Sequence, residues 1–155
     1  VDLARYTLTV DGAVKYPMIV RHEELLAMHS VTRRIRMDCV GGFRNNTDMR
    51  GITFAEVMAR AKPLPEARRA IFYCADGYFE SSTLDDLAAA DAMLAYEVNN
   101  ERVARLGFPL RLAIPGKYGY KWAKWVQRIE IVTHDRKGYW PQRGLPDRAD
   151  VGDRW

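Results

Sequence analysis

In "ARYTLTVDGAV" the apolar residues Tyr6, Leu8 and Val10 fall on every second position before an Asp11-Gly12 turn. That period of two puts them on one face of a strand. "RHEELLAMH" instead spaces Leu25, Leu26 and His29 as a short helix would. Alternation returns in "VTRRIRMDC", where Ile35, Met37 and Cys39 share one side and Arg34, Arg36 and Asp38 the other. Gly41-Gly42 breaks this strand, and the polar run through Asn45, Asn46 and Asp48 to Gly51 predicts a loop.

"TFAEVMARA" predicts a helix starting near Thr53, with Glu56 at capping-box spacing and Phe54, Val57, Met58 and Ala61 on one side. "KPLPEA" stops it. "RAIFYC" predicts a short buried strand ending at Cys74, and "STLDDLAAA" a weak helix opened by Ser82 or Thr83. Asn99-Asn100 sits where a hairpin turn is expected, because Asn tolerates positive φ. Two further strands follow: "PLRLAIPG", then "WVQRIEIV", in which Val126, Arg128 and Glu130 alternate with Gln127, Ile129 and Ile131. Short strands and helices without a βαβ rhythm predict an α+β fold. The expected organisation is one domain over residues 1–155, with an irregular tail from His134 anchored by Trp140 and Trp155.

Composition narrows the field. A chain of 155 residues, 48% hydrophobic and 28% charged, can bury a real core, which argues against wholesale disorder. No apolar run has the length of a membrane span. A formal charge of +4 favours anionic ligands without choosing among them. Two cysteines make no disulfide framework, no CxxC or Cys/His zinc spacing exists, and the three histidines are scattered. No P-loop, HExxH, GxSxG or dinucleotide fingerprint is present.

The informative stretch is "PLRLAIPGKYGYKWAKWVQRIEI". Arg111, Lys117, Lys121, Lys124 and Arg128 surround Gly116 and Gly119, interleaved with Tyr118, Tyr120, Trp122 and Trp125. Glycines let backbone N–H groups approach an anion, flanking cations neutralise it, and aromatics can wall a planar ring. The same residues suit a solvated basic surface, a pocket for a phosphorylated cofactor, or a single-strand nucleic-acid site. Spacing leaves these open, with nucleic acid the least favoured, since one short stretch on a mildly basic chain is all that supports it.

Several segments together resemble one family. "YTLTVDGAV", "DCVGG", "RGITFAEVM", "ADGYFESSTLDDL", "LAYEVNNERV", "GFPLRLAIPGKYGYKWAKWVQRIEI" and "GYWPQRG" occur in the order seen in the sulfite-oxidase-like molybdopterin oxidoreductases. That family spans sulfite oxidases, assimilatory nitrate reductases and the periplasmic methionine-sulfoxide-reducing subunit. The resemblance implies a mixed-sheet molybdopterin-binding domain in which Cys39 is the thiolate ligand of molybdenum. A soft anionic sulfur suits a high-valent metal.

By the same resemblance Arg111 and Trp122-Ala123-Lys124 hold the pyranopterin and its phosphate. Cys74 stands where relatives contact the cofactor, or is simply a small buried side chain. Asp76, Lys117 and Lys121 are expected pocket residues, though Asp76 could equally satisfy its own turn. Leu106 departs from the Asn or His that relatives often carry there. Arg44, five residues after Cys39, is the candidate to attract an oxyanion; a solvated loop arginine is the other reading. The implied chemistry moves an oxygen atom and two electrons to or from a small oxyanion or sulfoxide, with a separate electron-transfer protein as redox partner. The alternative is a domain of the same fold that holds pterin or a protein partner without molybdenum. A mature periplasmic chain is the expected setting, the cytoplasm the alternative.

Overall fold

The computed structural model describes residues 2–38, 44–135, 138 and 141–151. Its strands form two sheets. The first has five strands, built from β1 (Thr7–Gly12), β2 (Met18–Arg21), β5 (Arg69–Cys74), β6 (Phe79–Thr83) and β9 (Val126–Val132), in the order β2-β1-β9-β5-β6. Only its β1–β9 pair is parallel. The second contains β3 (Val31–Asp38), β4 (Arg44–Thr53), β7 (Met93–Val98) and β8 (Arg111–Ala113), antiparallel in the order β3-β4-β7-β8. Three short helices join them: α1 (His22–Ala27), α2 (Phe54–Ala61) and α3 (Leu84–Ala89). The fold is α+β, as the pattern predicts.

One cluster of buried side chains draws on both sheets, including Leu8, Val10, Phe72 and Ile129 from the first and Met49, Leu94 and Leu112 from the second. Burial of these apolar surfaces supplies the main driving force for the fold. The helix starts agree with the sequence: Thr53 Oγ1 accepts the Glu56 N–H at 3.1 Å, and Thr83 Oγ1 accepts that of Asp86 at 3.1 Å. Asn99 and Asn100 both take positive φ, 51° and 64°, in the turn after β7.

Two expectations are corrected. The polar run after Gly42 is not a loop throughout: Arg44–Thr53 is the ten-residue β4. Asn46, Asp48 and Arg50 face outward opposite Arg36, Arg34 and Thr32 of β3, while Thr47, Met49 and Ile52 are buried. Pairing with β3, which lies opposite Asn45, Asn46 and Asp48, overrides the weak strand propensity of Asn and Asp. Gly51 follows a register shift, and a Cβ there would sit 2.0 Å from the Leu94 carbonyl oxygen.

The second correction concerns β9. Val126 is buried together with Ile129 and Ile131, so the simple alternation is out of phase at its start. The cause is a bulge opposite Tyr73 and Cys74, where Cys74 pairs with Val126 but Tyr73 with Arg128. Cys39, Gly41, Gly42, Trp140 and Trp155 lie outside the described residues.

Candidate functional site

The turn joining β5 to β6 and the loop before β9 meet edge to edge. Cys74 donates its N–H to the Tyr78 carbonyl at 2.9 Å, and Tyr78 donates its own to Asp76 Oδ1 at 3.1 Å. The Ala75 N–H reaches the Trp125 carbonyl at 2.9 Å, tying this turn to the loop. Between them is a cleft of about 260 Å3 lined by Asp76, Tyr78, Gly119, Tyr120, Trp122, Ala123, Lys124 and Trp125. Four sequence-chosen residues therefore meet in one cavity: Asp76, Trp122, Ala123 and Lys124.

The aromatic walls are held by hydrogen bonds to backbone carbonyls. Trp122 Nε1 donates to Lys117 O at 3.1 Å, and Trp125 Nε1 to Ala104 O at 2.6 Å. Trp125 takes a φ of 54°, a left-handed conformation uncommon for so large a residue. The Tyr78 hydroxyl bridges Glu80 Oε2 at 2.9 Å and the Tyr120 carbonyl at 2.8 Å. Tyr78 was not anticipated; its place two residues after Asp76, beside Gly77, is the signal that could have found it.

Arg111 opens β8 and is 3% exposed. Its Nη1 donates to the Leu106 carbonyl at 2.9 Å, its Nη2 lies 3.8 Å from Met37 Sδ, and its guanidinium carbon is 5.9 Å from the centre of the Trp122 ring. Nε is buried with no hydrogen-bond partner, and no carboxylate among the described residues pairs with the group. Burial alone lowers its pKa to about 10, so the charge persists at neutral pH. Gly107, with φ of 110°, lets the chain pass beneath it: a Cβ there would lie 2.6 Å from Arg111 Cβ and 3.3 Å from Lys124 Cγ.

Arg111 does not line the cleft itself but packs behind its Trp122 wall, and the two buried lysines are placed differently again. Lys121, 1% exposed, donates to Ser81 O at 2.7 Å and sits 3.1 Å from Asp147 and 3.3 Å from Glu80. Burial pushes the Glu80 carboxyl up despite Lys121. Lys117 is paired with Asp150 and with Asp86 at 3.5 Å. Both ammonium groups are thus engaged by carboxylates, and neither lines the cleft. Lys124 does line it, with Nζ 3.2 Å from Arg105 O. Arg44 lies on the outward face of the second sheet, its Nε 3.1 Å from Asp38.

Cys74 is a free thiol, buried at the rear of the turn. Burial, with Asp76 and Glu80 nearby, pushes its pKa up to about 12, so it stays protonated. Cys39 lies outside the described residues, but its neighbour Asp38 bridges Tyr118 in parallel fashion. The end of β3 is thereby seated against the loop that walls the cleft.

These residues fit a phosphorylated, polar-edged ring system. A buried guanidinium with a vacant donor and no counter-charge among the described residues calls for an anionic or acceptor-rich partner, since leaving it unmatched is costly. Among the described residues no three of His, Cys, Asp and Glu converge as a metal site. A metal would there depend on a ligand outside them and on donors brought by the cofactor.

The chain belongs to the oxidoreductase molybdopterin-binding domain family, whose profile it matches over residues 1–140. It is 30% identical over 151 residues to the uncharacterized oxidoreductase YuiH of Bacillus subtilis (strain 168), covering 96% of this chain and 76% of that protein. It is 30% identical over 161 residues to the protein-methionine-sulfoxide reductase catalytic subunit MsrP of Gluconobacter oxydans (strain 621H), covering 92% and 51%. In fold it is similar to the sulfane dehydrogenase SoxCD of Paracoccus pantotrophus, with a TM-score of 0.79 at 24% identity over 86% of this chain and 40% of that one. The chain thus spans about three quarters of the first relative and about half of the second.

Proposed function

We propose that this domain holds a molybdenum–molybdopterin cofactor and transfers an oxygen atom, with two electrons, to or from a small oxyanion such as sulfite or a sulfoxide. The observation that carries the reading is Arg111: a buried guanidinium set against Trp122 and near Met37 of β3, with no carboxylate partner among the described residues. Bound there, the cofactor supplies the oxygen-transfer and redox chemistry.

The chain's own residues bind and shield it. Arg111 offers Nε to an acceptor, and Lys124 offers positive charge to a phosphate at the cleft wall. Trp122 and Ala123 exclude water from one side, and Asp76 fixes the turn opposite by accepting from Tyr78. Cys39 is the protein sulfur for the metal, and Arg44 with its neighbours adds positive charge on the same sheet. Cys74 acts as packing, since a thiol held protonated is a poor metal ligand. Lys117 and Lys121 brace the loop through their carboxylates. Electrons enter or leave through a separate redox protein, and the periplasm is the proposed setting.

The test is elemental analysis of protein produced in a host that makes molybdopterin. About one molybdenum per chain is expected, lost in Cys39→Ser and reduced in Arg111→Met. Metal-free protein with both cysteines present would overturn the reading in favour of a non-catalytic domain of the same fold.

A further inference from the structure

The outward face of the second sheet carries charge in a defined register. Arg34 lies opposite Asp48, Arg36 opposite Asn46 and Asp38 opposite Arg44, with Thr32 opposite Arg50. Arg50 in turn lies opposite Glu97 of β7, and Arg102 from the following turn reaches the same carboxylate at 3.3 Å. Cross-strand partners share a face. This one therefore presents the guanidinium groups of Arg34, Arg36, Arg44, Arg50 and Arg102 against the carboxylates of Asp38, Asp48 and Glu97.

At Asp38 and Glu97 the two signs are layered. The five arginine side chains are 45% to 68% exposed and that of Asp48 is 47% exposed, whereas those of Asp38 and Glu97 are only 9% and 13% exposed. Arg36 and Arg44 share Asp38, and Arg50 and Arg102 share Glu97. A carboxylate that is shared neutralises one cation of its pair, so positive charge remains at the surface. Holding the forks from below also fixes their orientation at little further entropic cost on binding.

The position matters as much as the sign. On the inward side of the same strand, Met37 Sδ lies 3.8 Å from the Arg111 guanidinium, and the Asp38 backbone bridges that of Tyr118, the residue before Gly119 of the cleft lining. A protein docked on the arginine face would thus sit across β3 from Met37 and the Arg111 guanidinium that it touches.

We infer that the β3–β4 face, with Arg34, Arg36, Arg50 and Arg102, is the docking surface for an acidic electron-carrier protein that exchanges electrons with the cleft. The inference rests on the proposed redox function for its purpose, but the surface can be tested without any cofactor. Complementary charge of this kind raises the association rate and is screened by salt.

The experiment measures binding of two soluble redox probes to the chain at 20 and 200 mM salt: the acidic haem domain of cytochrome b5 and the basic horse cytochrome c. Expected is binding of the acidic probe alone, weakened about tenfold or more at the higher salt. Arg34→Gln/Arg50→Gln/Arg102→Gln should cost a further tenfold or more in protein that still melts cooperatively, while Arg60→Gln on α2 changes nothing. The inference is overturned if the triple variant binds as the parent does or if cytochrome c binds equally well. It is also overturned if phosphatidylglycerol vesicles or single-stranded DNA bind more tightly than the acidic probe and lose that binding in the same variant. Metal-free protein that still passes this test would sink the redox reading but leave the docking surface standing.

Discussion

The guanidinium of Arg111 lies over the ring of Trp122, 5.9 Å from its centre, with the Nε donor unpaired. Burying a charge without a counter-ion opposes folding, and replacing such a group by an apolar side chain of similar size is often stabilising. Arg111→Met is therefore expected to raise the melting temperature of the cofactor-free protein, by about 1–3 kcal/mol of stability. The same variant should lose most of its pterin when produced in a cofactor-making host. Thermal melts and fluorescence of the extracted, oxidised pterin check the two halves.

Glu80 and Lys121 are both essentially inaccessible to solvent. Removing one partner strands the other, so Lys121→Ala should cost about 3–5 kcal/mol in urea unfolding. The double variant Lys121→Met/Glu80→Leu is expected to recover much of that loss. Equal destabilisation in both would show that the pair does not act as a unit.

Gly107 combines a φ of 110° with an approach that leaves no room for a methyl group beside Arg111 and Lys124. Gly107→Ala should cost about 2–4 kcal/mol, from backbone strain plus displacement of the two side chains. Urea midpoints measure the cost, and pterin content should fall with it, because both displaced residues belong to the site.

Asp147 feels opposing influences. Burial raises its pKa, but hydrogen bonds from Arg69 and the charges of Lys121 and Arg69 prevail, holding it below the usual 3.8. A depressed folded pKa contributes stability that is complete above the unfolded value and fades as pH falls through the folded one. Asp147→Asn should therefore cost about 3 kcal/mol at pH 6. The gap from the parent should narrow below pH 3.8. Glu80 works in the other sense, since its raised pKa favours the fold at low pH and that contribution is lost as pH rises through it. Urea titrations of both proteins from pH 6 to pH 2.5 test the difference.

Cys74, 3% exposed and with its pKa pushed up to about 12, should be inert to thiol reagents in the native state. In Cys39→Ser protein at pH 8, reaction with a disulfide reagent should proceed only as fast as unfolding exposes Cys74. Rapid native labelling would contradict its burial.

Much was legible in the chain because local chemistry and tertiary structure agreed. Thr53 and Thr83 cap helices wherever they are placed, and Asn99-Asn100 turns by its own conformational freedom. β4 was not legible, because Asn45, Asn46 and Asp48 carry no strand preference and become extended only when β3 supplies a partner. The bulge that rephases β9 likewise needs β5 opposite it.

The sequence by itself determined the α+β class, the boundaries set by capping and turn residues, and the family to which the chain belongs. Only the tertiary structure decided which basic residues remain uncompensated. Lys117, Lys121 and Arg111 look alike along one stretch of chain. Asp150, Asp147 and Glu80 come from elsewhere to take the two lysines, and no carboxylate among the described residues comes to Arg111. Charge compensation is a property of groups distant in sequence and close in space, and a linear pattern does not encode that closeness.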